Sequence, residues 1–302
     1  MPNAKLKQYL HLHLLVFIAG FTAILGELIT IGSLQLVWYR MAIAGILMFV
    51  FIKLRKVNLQ IRKRTFWQFS VAGVIIAMHW ITFFEAINQA NVSIALAMFS
   101  SGAFFASFIE PIIFKRRVLV YEIIFGLVVI VGVFLITSSE MNYIYGIVLG
   151  GLSALFSTLF AVINGRFIER YRASVISFYE FVSGVVFLTV FILLSGTQFN
   201  VQFFSLSNAD WFYLFVLASV CTAYAFIGAV EVMRYISPFT VILSYNLEPL
   251  YGIALALFLF PETEQMSPQF YIGAILVLTT VLCDALLKNY RRRRDKKLEM
   301  MS

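Results

Sequence analysis

The stretch Ile123-Ile-Phe-Gly-Leu-Val-Val-Ile-Val-Gly-Val-Phe-Leu-Ile136 decides the fold class of this chain. It is apolar on every face of a helix and lacks the alternation of apolar and polar positions that a membrane β-barrel requires. The whole chain has a similar composition: of 302 residues, 61% are hydrophobic and only 13% are charged. A soluble domain carries roughly half apolar and a quarter charged residues. The composition therefore excludes a water-soluble globule and indicates an all-α polytopic membrane protein.

Ten apolar stretches are separated by short polar breaks, and each is long enough to cross a bilayer core of about 30 Å as a helix. Both cysteines, Cys221 and Cys283, lie inside these stretches, so neither a disulfide framework nor a metal-binding spacing is expected. The first stretch is interpreted as a retained helix, because no signal-peptide cleavage pattern follows it. The predicted spans are 11–28, 33–52, 66–89, 93–114, 118–138, 143–164, 174–195, 211–232, 238–260 and 268–288.

The positive charges test this count independently, because Lys and Arg near span ends stay on the cytoplasmic side of a membrane. Of the 23 lysines and arginines, all but Arg40 fall in the N-terminus, in the loops after even-numbered spans or in the C-terminal tail. This alternation predicts ten helices with both termini cytoplasmic. The net charge of +8 therefore reports orientation and lipid-headgroup contact, and no nucleic-acid partner is expected.

The two halves of the chain share a weak but ordered similarity. Trp80 and Glu85 of span 3 correspond to Phe226 and Glu231 of span 8. Because each half holds five spans, an odd number, the second half must enter the membrane with the opposite orientation. Inverted repeats of this kind are typical of secondary transporters, which bind their solute between the halves. The predicted units are residues 1–140 and 141–290 for the two repeats and 291–302 for a basic cytoplasmic tail.

Three runs carry a resemblance to a known family: Gly20-Phe-Thr-Ala-Ile-Leu-Gly26, Trp38-Tyr-Arg-Met-Ala-Ile-Ala44, and Trp80-Ile-Thr-Phe-Phe-Glu-Ala-Ile-Asn88 leading to Ser93. With the five-plus-five arrangement of short helices, they resemble an EamA-type member of the drug/metabolite transporter superfamily. The resemblance implies a small-metabolite carrier, often an exporter of amino acids or related compounds, without specifying the solute.

The resemblance also carries over individual positions. The family's arginine in span 2 corresponds to Arg40, and its proline in span 9 corresponds to Pro249. Span 4 departs from the pattern, because Ala103 stands where the repeat has Pro249. In the family, an acidic residue commonly follows this helix of the repeat. After span 9, the corresponding helix of the second half, Glu262 or Glu264 supplies it.

Charged side chains at bilayer depth cost about 2.5 to 3.5 kcal/mol each near a helix centre, so each needs a partner or a function. Arg40 is at a depth similar to that of Glu27 and Glu85. Two roles remain open for it: an ion pair that joins spans 1 to 3, or bidentate recognition of a substrate carboxylate or phosphate. Glu180 and Glu231, in the cytoplasmic halves of their spans, are interpreted as gate or ion-pair residues.

A central pocket is predicted from aromatic and polar residues of similar depth in both halves. His79 and Glu248 are the candidates for proton coupling; the alternatives are a packing histidine and a buried acid beside a kink at Pro249. The predicted substrate-binding residues are Arg40, His79, Trp80, Phe99, Ser100, Ser101, Tyr224, Tyr245, Asn246 and Glu248.

These features predict a secondary transporter that exports a small polar metabolite, such as an amino acid or a related compound, by alternating access in the inner membrane. A sugar or nucleotide-sugar transporter is the alternative. An integral membrane enzyme is a remote one, because His11, His13 and His79 are too scattered for a catalytic or metal site. No cofactor or metal is expected, the partners are a small metabolite and membrane lipid, and the protein is expected to be a monomer or homodimer.

Overall fold

The structure is a computed structural model that describes residues 2–115, 117, 120–195, 199–232, 235, 244–245 and 247–299. Within this part of the chain the fold is entirely helical, with no strand. A 3₁₀ turn, Met141–Tyr143, precedes the helix that begins at Ile144, and a π-helical segment, Ser219–Tyr224, joins the helices Asn208–Ala218 and Ala225–Val232. The helices are α1 (Pro2–Leu28), α2 (Ser33–Leu54), α3 (Lys63–Gln89), α4 (Val92–Phe99), α5 (Gly102–Phe114), α6 (Val120–Ser139), α7 (Ile144–Phe167), α8 (Ala173–Leu194), α9 (Val201–Phe204), α10 (Asn208–Ala218), α11 (Ala225–Val232), α12 (Glu248–Leu259) and α13 (Pro268–Glu299).

The described helices establish a multi-pass membrane protein. Eight segments are long and apolar enough to cross a bilayer, and two shorter apolar helices, Glu248–Leu259 and Pro268–Asp284, lie in the last two predicted spans. Large apolar side chains such as Phe134, Leu194 and Phe258 are exposed, as expected on a surface that faces lipid. The count of ten spans and the cytoplasmic position of the termini stay predictions.

The helices differ from the predicted spans at several points. Helix α1 begins at Pro2 and not at residue 11, and span 8 is interrupted by the π-helical segment Ser219–Tyr224. Span 4 is divided at Ser100 and Ser101 into α4 and α5. The two hydroxyls donate to carbonyls of the preceding turn, Ser100 to Leu96 at 2.9 Å and Ser101 to Met98 at 2.6 Å, and so satisfy backbone groups within the bundle. At the C-terminal end, α13 does not stop at residue 288 but continues through the predicted tail to Glu299.

The halves of the chain are interleaved. Helix α1 packs against α12, α2 against α8, α3 against α7 and α8, α4 against α7 and α12, and α6 against α13. Glycines allow two of these crossings: a Cβ atom on Gly20 would lie 2.9 Å from the carbonyl oxygen of Glu248, and one on Gly273 would lie 2.7 Å from that of Gly132. The backbones at these crossings are therefore in direct contact, as small residues permit in membrane helices.

Polar contacts join loops of both halves at the end of the bundle opposite the basic loops 55–62 and 168–172. We call these the polar end and the basic end. At the polar end, the backbone N–H and the hydroxyl of Thr30 donate to Asp210 at 2.8 and 3.0 Å. Glu264 is fully buried there and accepts hydrogen bonds from the backbone N–H groups of Val92 and Ser93 at 2.9 and 2.8 Å. The loop after α12 therefore caps the N-terminus of α4.

Candidate functional site

Arg40 is the centre of the candidate site. It lies in α2, is only 3% exposed, and donates from Nε to the hydroxyl of Thr222 at 2.8 Å. Thr222 belongs to the π-helical segment, where its own hydroxyl donates to the carbonyl of Leu217, five residues earlier, at 2.8 Å. Because that bond orients the hydroxyl, its oxygen is free to accept from Arg40. A local irregularity in the second half of the chain thus fixes a cation of the first half.

The guanidinium of Arg40 also rests on aromatic rings of α3. Its Cζ atom is 4.0 Å from the ring centroid of Trp80 and 5.6 Å from that of Phe84. These cation–π contacts stabilise a desolvated charge without using its N–H groups. The Nη1 nitrogen is buried and has no hydrogen-bond partner among the residues that the structure describes. The arrangement therefore holds a planar cation rigidly and leaves a donor available.

Glu248 brings a carboxyl group into the same region. It begins α12, and Pro249 occupies the first turn, where a missing N–H costs nothing. Glu248 and Arg40 are close enough to interact electrostatically. Arg40 comes from the first half of the chain and Thr222 and Glu248 from the second, so the site lies between the two halves.

His79 faces a different set of neighbours from those of Trp80, the next residue. Its Nδ1 atom lies 2.9 Å from the hydroxyl and 3.0 Å from the carbonyl oxygen of Ser153 in α7. The ring stacks on Phe99, with 5.5 Å between the centroids. The predicted pocket thus contains a cluster around Arg40 and Trp80 and a second one around His79 and Phe99, and His79 is close enough to Arg40 for the two to interact electrostatically.

The other predicted binding residues, except Tyr245, lie outside both clusters or outside the described residues. The hydroxyls of Ser100 and Ser101 are engaged by their own helix. Tyr224 is 41% exposed, and its hydroxyl is 2.7 Å from Nε2 of His11. Tyr245 packs against an apolar cluster of α1 and α11 side chains and is close enough to Glu248 to interact with it electrostatically. Asn246 lies outside the described residues.

The predicted gate residues contact polar groups other than Arg40. Glu85 accepts hydrogen bonds from Ser33 at 2.6 Å and from Gln89 at 2.8 Å. Glu27 interacts electrostatically with Glu264 at the polar end. Glu180, only 1% exposed, accepts a hydrogen bond from Asn164 at 2.8 Å. The side chain of Glu231 lies outside the described part of the chain.

Sequence reasoning did not find Thr222, which anchors Arg40. A single threonine in an apolar segment carries no sequence signal, and its role depends on a π-helical turn that composition does not predict.

Within the described ranges, no group of three His, Cys, Asp or Glu residues is placed to hold a metal ion.

Comparison with known proteins gives one family and one fold. The model of the EamA-like transporter family matches residues 6–138 and 144–283. A solved structure described as "Crystal structure of protein" is similar, with a TM-score of 0.64 and 14% sequence identity over 94% of this chain and 98% of that chain. At this identity the similarity shows a shared fold alone. No curated protein matches the chain.

Proposed function

Because the chain belongs to the EamA-like transporter family, we propose that it is a secondary transporter that exports a small polar metabolite, such as an amino acid or a related compound, across the cytoplasmic membrane. The solute binds between two inverted five-helix repeats of ten spans in total, with both termini in the cytoplasm. Relative motion of the repeats then opens the site to one side of the membrane at a time.

The observation that carries this proposal is the buried Nη1 atom of Arg40, which has no hydrogen-bond partner in the described part of the chain. A charged donor without a partner costs at least about 1 to 3 kcal/mol when it is buried. Nε is fixed on Thr222 and the guanidinium plane on Trp80, so the free donor has a defined direction. A solute carboxylate would supply the missing acceptor as a short, charge-assisted hydrogen bond.

Glu248 complements Arg40, because its carboxylate can accept hydrogen bonds from a solute ammonium group. A carboxylate on Arg40 and an ammonium on Glu248 match the two ends of a zwitterionic amino acid. Glu248 is also a proposed proton carrier. His79 is the second proposed proton carrier, through the ring nitrogen that does not face Ser153.

The proposal is tested by solute counterflow with the full-length protein in liposomes. Vesicles are loaded in turn with amino acids, sugars and nucleotide sugars, and entry of the matching labelled solute is followed. We expect saturable counterflow of a zwitterionic or anionic solute. Counterflow of sugars or nucleotide sugars alone would replace the amino-acid assignment with the sugar alternative, and no counterflow of any solute would contradict the transport proposal.

A further inference from the structure

A cavity lies at the basic end, between α2, α8 and α11. Its volume is about 690 Å³, and its walls include Met48, Ser177 and Phe226. This volume is in the range of about 300 to 1,000 Å³ that is usual for small-ligand sites. We call this cavity the vestibule.

The lining of the vestibule is cationic. Arg55, directly after α2, and Arg172, directly before α8, both line it. Tyr171, Ser174 and Ser177 are also part of the wall, and no carboxyl group is among its described lining residues. The first turn of α8 and the last turn of α2 both form part of the wall, so the opposite partial charges of these two helix ends offset each other and the positive charge of the lining comes from the two arginines. Two guanidinium groups beside hydroxyls favour a carboxylate or a phosphate.

Two described carboxyl groups lie close to the vestibule along the chain, Glu169 and Glu180, and neither belongs to its wall; Glu169 is exposed in the loop 168–172. Glu180 lies one turn beyond Ser177 on α8, is not part of the vestibule wall, and is engaged by Asn164. The guanidinium of Arg55 is held near the wall, because its Cζ atom lies 5.8 Å from the ring centroid of Phe51, another lining residue. The vestibule therefore keeps a net positive lining.

Three aromatic rings connect the vestibule to Arg40. Phe226 lines the vestibule and lies 5.4 Å from the ring of Phe181. Phe181 is fully buried and lies 6.0 Å from the ring of Trp80, on which Arg40 rests. We call these three rings the aromatic partition. It separates two cationic sites that follow one another from the basic end toward the middle of the bundle.

We propose that the vestibule is a second binding site, in which Arg55 and Arg172 hold the carboxylate or phosphate group of the solute before the aromatic partition opens toward Arg40. This inference rests on the proposed function and narrows the solute to one that carries an anionic group. It also gives two basic residues a role beyond the orientation of the chain in the membrane.

The test measures the chemical accessibility of the vestibule and requires no transport. Ser174→Cys is introduced into full-length protein in which Cys221 and Cys283 are replaced by serine, and the protein is placed in nanodiscs of neutral phosphatidylcholine. The new thiol is labelled with a neutral maleimide with and without inorganic phosphate or succinate. Labelling is then compared for an anionic and a cationic methanethiosulfonate of similar size.

We expect phosphate or succinate to slow maleimide labelling, and Arg55→Gln with Arg172→Gln to abolish this protection. The same pair of substitutions should lower the ratio of the anionic to the cationic labelling rate about fivefold, because removal of nearby charges changes the local potential for the two reagents in opposite directions. Arg170→Gln is the matched control: Arg170 is exposed in the same loop but does not line the vestibule, so protection and ratio should be unchanged.

Two results would overturn the inference. The vestibule is not an anion site if neither phosphate nor succinate slows labelling of the thiol and if the ratio of the anionic to the cationic labelling rate is unchanged by replacement of both arginines. If protection appears only in nanodiscs that contain phosphatidylglycerol, the arginines bind a lipid headgroup and not a solute. Either result would contradict anion binding in the vestibule but not transport at Arg40. Conversely, protection of the thiol by dissolved anions without counterflow of any solute would contradict the proposed transport function and not the vestibule site.

Discussion

Replacement of Glu264 by alanine should destabilise the protein strongly, although Glu264 lies in a loop. Its buried carboxylate accepts the N–H groups of Val92 and Ser93, at 2.9 and 2.8 Å, and so caps the N-terminus of α4. Asn91 strengthens the same junction, since its side chain caps Ile94 and donates to the carbonyl of Thr263 at 3.2 Å. The substitution would leave the first two amides of α4 buried and without acceptors.

The magnitude follows from those two amides. Each buried donor left without a partner costs about 1 to 3 kcal/mol, so Glu264→Ala should lower the free energy of unfolding by roughly 2 to 6 kcal/mol. Loss of the favourable interaction with the helix dipole adds to this. Relief of the repulsion between Glu264 and Glu27 acts in the opposite direction. Glu264→Gln keeps one acceptor oxygen and should lose about half as much.

The assay is reversible unfolding of the purified protein in mild detergent that is titrated with dodecyl sulfate. Glu262→Ala is the matched control, because Glu262 is exposed two residues earlier in the same loop. It should change the free energy of unfolding by no more than about 0.5 kcal/mol. Equal stabilities for the Glu264 and Glu262 variants would refute the capping role.

Three further predictions concern packing, the site and coupling. Gly273→Ala would place a Cβ atom 2.7 Å from a carbonyl oxygen of α6 and should destabilise the protein by about 1 to 3 kcal/mol in the same unfolding assay. Gly151→Ala is the control, because its Cβ atom would meet only a methionine methyl at 3.7 Å. It should leave the stability unchanged or raise it by up to about 1 kcal/mol. Thr222→Val removes the acceptor of the buried guanidinium and should weaken solute binding at least about tenfold by thermal shift, while Thr280→Val, whose hydroxyl donates to its own helix, should not. Glu248→Gln should abolish any dependence of solute flux on a pH gradient in liposomes, and flux that responds to the gradient as in the parent protein would exclude Glu248 as the proton carrier.

The sequence predicts helix positions well where a polar break interrupts an apolar stretch. Leu28 and Ser33, which flank the first break, are the ends of α1 and α2 as expected. The division of span 4 at Ser100 was not predictable, because serine is compatible with a helix interior. It becomes visible only in the hydrogen bonds that compensate the break.

In the candidate site too, features set by the local sequence could be predicted and contacts between distant segments could not. The depth of Arg40 is set by its distance from the span end, so a buried cation could be predicted. Its partner could not, because Thr222 comes from the other half of the chain and local spacing contains no information on which halves meet. Sequence similarity between the repeats likewise left Glu262 and Glu264 equivalent, and only the folded loop buries Glu264.

The central claim is that the free donor of Arg40 binds the anionic group of the solute. Arg40→Lys keeps the charge but loses the planar group that reaches Thr222 and rests on Trp80. The most direct measurement is counterflow of the transported solute by this variant and by the parent protein, at matched amounts of folded protein. The account predicts a half-saturating concentration at least about tenfold higher for Arg40→Lys, from the loss of a charged hydrogen bond of about 1.5 to 3 kcal/mol. An unchanged half-saturating concentration and rate would contradict it.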